Sequence, residues 1–160
     1  NGWSDVFVRD RQSGTTERVS VSASGAQRDF HSMESAISAD GRIVAFWSFA
    51  TNLVAGATGF FGRVFVHDRQ GGPTELASVS TAGIPADSGS AEPSISADGH
   101  YVAFYSNASN LVTGDVNATD DIFLHDRGPD AFSSFCAQVT TLRAVALTRK
   151  TPPASIVLLV

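Results

Sequence analysis

The stretch ISADGRIVAF, residues 37–46, returns as ISADGHYVAF at residues 95–104. The step between them is 58 residues, and other positions keep it: Val6, Val64 and Ile122; Asp10, Asp68 and Asp126; Asn52 and Asn110. Residues 4–61 align with 62–119 without a gap, and 30 of the 58 pairs are identical. A third copy begins at residue 120 and holds through DIFLHDR, residues 121–127. A fixed period of this kind marks a repeat architecture, in which each unit buries its faces against its neighbours.

Each copy reads as short strands. VFVRDR, VFVHDR and IFLHDR are rich in β-branched and aromatic residues, as are IVAFWS and YVAFYS. The last two are near-continuous apolar runs, which predicts strands covered on both faces. No convincing 3.6-residue apolar period occurs in residues 1–127. The unit is therefore four short strands, all β, with the SADG of the quoted phrase as a hairpin turn. Ser and Asp side chains bond the backbone that follows them, and Gly accepts positive φ without a Cβ clash. Asp40 and Asp98 are thus read as turn residues and not as catalytic acids.

SISADGHYVAFYS and the D-V/I-F-V/L-x-D-R strand together resemble the PD40 repeat, the WD40-like repeat of TolB-type β-propellers, over about residues 4–127. The resemblance implies an all-β fold of four-stranded blades around an axis. It also implies a bacterial protein that is periplasmic, secreted or on the cell surface, and a module that binds protein or ligand. A propeller closes with four to eight blades. This chain holds an incomplete set of about 2.5–3: copy one at 4–61, copy two at 62–119 and the start of copy three at 120–127. It reads as an excerpt of something longer, or as a chain that self-associates through open blade edges. Residues 128–160 leave the repeat, as a last strand or as a non-native tail.

Charge narrows the partners. All 16 acidic residues but only 8 of the 11 basic ones fall within residues 1–130, giving −8 there and +3 beyond. An acidic body excludes a nucleic-acid surface, which needs a basic stripe. Nothing in the sequence is long and apolar enough to span a membrane. Cys136 is the single cysteine, so no internal disulfide forms.

Three functional readings follow. The first is a non-catalytic binding or scaffold module, with a protein partner or a small ligand. Its surface is sought on the loops that join blades, with Phe30, His31, Asp87 and Glu92 as the contact points. Glu34 and Glu92 are equivalent, which favours a structural role for that pair. The second is a hydrolase or lyase built on, or accompanied by, the propeller. No G-x-S-x-G elbow supports it, and Ser90 is its nearest nucleophile. The third is a calcium-stabilised repeat. Asp115, Asn117, Thr119 and Asp121 alternate at steps of two, with Asp120 adjacent, and oxygen ligands at alternate positions suit Ca²⁺. The EF-hand Gly and Glu are missing there, and an Asx-rich turn accounts for the same residues. His67 and His125 occupy equivalent strand positions and are expected to point outward from separate blades.

Overall fold

The computed structural model describes residues 2–57, 59–117 and 119–128. The expected tail strand and Cys136 lie outside the described residues. Residues 1–127 form one compact unit. Among the described residues the chain is all β, in nine strands: β1 (Phe7–Arg9), β2 (Thr16–Arg18), β3 (Ser32–Ile37), β4 (Ile43–Ser48), β5 (Arg63–Asp68), β6 (Thr74–Leu76), β7 (Ser90–Ile95), β8 (Tyr101–Ser106) and β9 (Asp121–Asp126). They pair antiparallel in chain order as three sheets, β1-β2, β3-β4-β5-β6 and β7-β8-β9. The middle sheet is a complete four-stranded blade, and the other two are parts of the same design. This is an incomplete propeller of antiparallel blades.

The quoted phrase is the hairpin between β3 and β4. Gly41 N donates to Ser38 O at 2.9 Å, with Gly41 at φ 75°. Ser38 Oγ donates to Asp40 Oδ1 at 2.5 Å, and Asp40 Oδ1 accepts Arg42 N at 3.0 Å. The second copy repeats the device. Asp98 Oδ1 accepts His100 N at 3.1 Å, and Gly99 sits at φ 77°. The Ser38 and Ser96 hydroxyls, and then the backbone bonds, hold the Asp40 and Asp98 carboxyls below their usual range.

The blades bury their faces against each other. One cluster, with Val6, Val19, Val44, Phe46 and Phe65, lies between the first and second blades. A second, with Ile43, Ala45, Val64, Val66, Val102 and Phe104, lies between the second and third. Alternation along β5 explains both: Phe65 faces one neighbour, and Val64 and Val66 face the other. β4 is covered on both sides, as its apolar run predicts. β8 is not, and its burial alternates. Val102 and Phe104 pack on the second blade, whereas Tyr101 faces away, exposed.

Glu34 and Glu92 carry the positive φ values of 45° and 52°. Both sit where the register shifts in the β3–β4 and β7–β8 pairs, the mark of a bulge. Glu92 N donates to Glu34 Oε2 at 3.2 Å, so the pair links successive blades.

His67 corrects the expectation that it points outward. β5 is the third strand of four, and the His67 side chain faces the preceding blade. Its Nδ1 lies 3.0 Å from Thr74 Oγ1, which donates to Val21 O at 2.5 Å. Burial pushes the His67 and His125 pKa values down.

Candidate binding surface

The loops entering each blade and the loops between its second and third strands meet at one end of the sheets. A repeated latch holds them. Asp29 Oδ1 accepts Thr51 N at 2.8 Å and Asp29 Oδ2 accepts Thr51 Oγ1 at 2.6 Å, while Asn52 Nδ2 donates to Gln27 O at 2.9 Å. In the next copy Asp87 accepts Ser109 N and Ser109 Oγ, each at 2.9 Å, and Asn110 Nδ2 donates to Pro85 O at 2.9 Å. Asp87 therefore sits in the binding-surface loop that the sequence singles out, and both of its oxygens are engaged within the chain. Glu92 lies on β7, bonded to Glu34 of β3, away from that latch.

Phe30 and His31 anchor a patch of rings. Trp3 stacks on Phe30 at 4.4 Å between centroids, and His31 meets the Trp3 ring edge-on at 4.8 Å. Phe49 is 6.0 Å from Phe30 and 4.6 Å from Trp47, which continues the patch. His31 Nδ1 accepts Ser4 N at 3.1 Å, which fixes its ring. Phe60 stands on the loop beside them, 99% exposed. It lies between two hollows. One has a volume of 340 Å³ and is lined by Phe30, Phe49 and Phe60 together with the Asp29–Thr51 latch. The other, of 510 Å³, is lined by Trp47, Phe49, Phe60, Phe61, Tyr105 and Asp120. Trp47 lies so close to Gly62 that a Cβ there would come 2.1 Å from Trp47 Nε1.

The sequence reading missed Trp3, Trp47, Phe49, Phe60 and Phe61. The available signal was the comparison of the copies. At the aligned positions Phe30 becomes Ser88, His31 becomes Gly89, Phe49 becomes Asn107 and Phe60 becomes Ala118, while the latch between them is retained.

The 115–121 loop is divided between two places. Asp115, Asn117 and Asp121 line one hollow, and Asp120 lines the aromatic one. Asn117 Nδ2 donates to Asp121 Oδ2 at 2.8 Å, and Asn117 Oδ1 accepts Thr119 N at 3.1 Å. Among the described residues no group of three or more His, Cys, Asp or Glu is gathered as a metal would need. Ser90 is buried and donates to Ser106 Oγ at 3.0 Å, as Ser32 does to Ser48 Oγ at 2.8 Å. A serine repeated in this way, and bonded to a second serine, braces two strands. No helix of the described residues is long and apolar enough to cross a membrane.

No protein-family model and no curated protein sequence matches the chain. Among solved structures it is similar to TolB from Acinetobacter baumannii at 14% identity and a TM-score of 0.38, over 76% of this chain. The chain spans 35% of the length of that structure.

Proposed function

We propose that the chain is a binding module, part of an exported propeller protein, and that its contact surface is the aromatic loop face around Phe60. One observation carries this reading. The scaffold motifs recur in both copies, but the rings at Phe30, Phe49 and Phe60 do not. Scaffold residues repeat because every blade needs them, so an aromatic cluster in one copy alone serves something other than the blade. Exposed rings flanking hollows are the chemistry of a protein contact.

The test uses the chain's own second copy. Phe30→Ser with Phe49→Asn writes into copy one the residues that copy two carries around the same latch. A photo-crosslinking residue at position 60 is expected to capture a partner in cells. A crosslinker at Gln70, near the turn that follows β5, is the control. The double substitution is expected to abolish capture at position 60 and leave the melting transition within a few degrees. Equal capture from both positions, or capture that survives the double substitution, rejects the surface.

A second reading assigns Ca²⁺ to the 115–121 loop. It is supported by Asp115, Asn117 and Asp121 lining one hollow, and opposed by the internal bonds of Asn117. Calorimetry decides it. Heat on adding Ca²⁺ that disappears in Asp115→Ala identifies the ion, and no heat leaves the Asn117 turn as the brace of the loop.

A further inference from the structure

The hollow between the second and third blades joins two kinds of surface. Trp47, Phe49, Phe60 and Phe61 supply aromatic walls, and Asp120 supplies a carboxylate. Tyr105 lines the same hollow. Its hydroxyl is pushed up in pKa, first by burial and then by the charges of Glu92, Asp120 and Glu34. Asp120 is the carboxylate on its lining. Arg63, which follows Gly62 of the lining, is buried and donates through Nη1 to Ala86 O at 2.9 Å.

The combination selects a ligand. Ring faces carry a negative quadrupole and attract cations, and a nearby carboxylate adds to that preference. Phosphates and acidic peptides are repelled by Asp120 and by the acidic body of the chain, −8 over residues 1–130. An uncharged ligand laid over Asp120 would strip its water and leave the charge unpaired, which is costly. A guanidinium is planar and weakly hydrated. It can stack on a ring while it pairs with a carboxylate, which a compact ammonium does less well.

We propose that this hollow takes the side chain of an arginine presented by a partner polypeptide, stacked on the aromatic wall and paired with Asp120. The inference rests on the binding-surface reading above and names what that surface holds. The acidic body of the chain, −8 over residues 1–130, adds steering toward a basic segment.

The test is an amide NMR titration of the whole isotope-labelled chain with the peptide acetyl-Gly-Arg-Gly-amide and its citrulline twin. Citrulline keeps the shape and removes the charge. The arginine peptide is expected to move the Trp47 indole N–H and the amides of Gly89, Asn107 and Asp120. It should bind about tenfold more tightly than the citrulline peptide. Asp120→Asn should remove most of that difference, and raising salt from about 0.05 M to about 0.5 M should weaken the arginine peptide alone. If the citrulline twin binds equally well at these amides, the arginine inference falls and the binding surface stands. If the arginine peptide moves none of them, the inference falls, and the crosslinking at position 60 judges the surface separately.

Discussion

Arg127, at the end of β9, donates to Glu75 Oε2 at 3.3 Å on the outer strand of the blade before it. The same guanidinium donates to Gly99 O at 2.9 Å in the turn of its own blade. One repeat earlier, Arg69 joins Glu17 and Gly41 O in the same way. The arginine of the Asp-Arg dipeptide that closes each of these strands is therefore a brace between blades. Asp68 accepts Arg42 Nε at 3.0 Å and Arg42 Nη2 at 2.7 Å, and it caps Gln70 N at 2.9 Å.

The two halves of this brace should not be equal. Glu17 is half exposed, and ion pairs at such positions are worth about 0–1 kcal/mol. The Gly41 carbonyl accepts from a charged donor in a more sheltered place, worth about 1.5–3 kcal/mol. Arg69→Ala should therefore lower stability by about 2 kcal/mol and Glu17→Gln by less than about 1 kcal/mol. Urea denaturation of the two variants measures both, and an equal loss would place the value of the brace in the ion pair.

Acid should loosen the blade interface through His67. Burial lowers its pKa from the ordinary 6.5, opposed in part by Glu17 and Asp68. Neutral His67 donates from Nδ1 to Thr74 Oγ1, since that hydroxyl already gives its proton to Val21 O. A histidine lowered in the folded state binds its proton more readily when unfolded. Its contribution is complete above about 6.5 and is lost as the pH falls toward the lowered value. His125 acts in the same direction, again through burial. Asp68 and Asp29 stay charged across this window. The Arg42 bond holds Asp68 below 3.8, and the Thr51 and Asn52 bonds do the same for Asp29 against its burial. The melting temperature should drop between about pH 7 and about pH 5, and less so in His67→Gln. A profile unchanged by that substitution would remove His67 as the cause.

Equivalent residues in the two copies should differ in energetic weight. Val64 and Val66 on β5 are 0% and 1% exposed, whereas their counterparts Ile122 and Leu124 on β9 are 78% and 68% exposed. Val64→Ala removes buried methyls from the cluster between blades and should cost about 1–3 kcal/mol. Ile122→Ala should cost less than about 1 kcal/mol. Ile122→Thr with Leu124→Thr should also reduce any association of the chain seen by light scattering, because it breaks an apolar patch on a sheet face. Similar losses at Val64 and Ile122 would mean that the β9 face is covered in solution.

The architecture was legible because its determinants are local and periodic. SADG writes a hairpin, alternation writes a strand, and the 58-residue step writes the blade. The site was less legible because its rings come from distant segments. Trp3, Phe30, Trp47 and Phe60 have no common period, and the loop latches, the Ser4–His31 bond and the β3–β4 pairing bring them together. His67 was misjudged for a related reason. An outward side chain needs an uncovered strand, but β6 lies outside β5 and the preceding blade lies across its face. The Glu34–Glu92 link was anticipated as structural on equivalence alone, yet the positive φ that sets it apart cannot be read from an apolar pattern.

The two copies of the opening phrase, identical through their SADG turns, should respond differently to the same change. Gly41 and Gly99 both sit in the left-handed region, at φ 75° and 77°, so alanine strains either turn by about 1 kcal/mol. Their surroundings differ. A Cβ on Gly41 would meet Arg69 Nη1 at 3.5 Å, the movable end of a long side chain. A Cβ on Gly99 would come within 2.7 Å of Ile43 Cγ1, in the packed cluster between the second and third blades. Ile43 is buried on its own strand and has little room to yield. Gly99→Ala should therefore cost about 2 kcal/mol more than Gly41→Ala, as overpacking of a core does. The double substitution Gly99→Ala with Ile43→Ala should cost less than the sum of the two single losses, because Ile43→Ala removes the Cγ1 that the new Cβ meets. Equal losses at the two glycines would show that the turn strain alone sets the cost and that the second blade does not press on the third at this point.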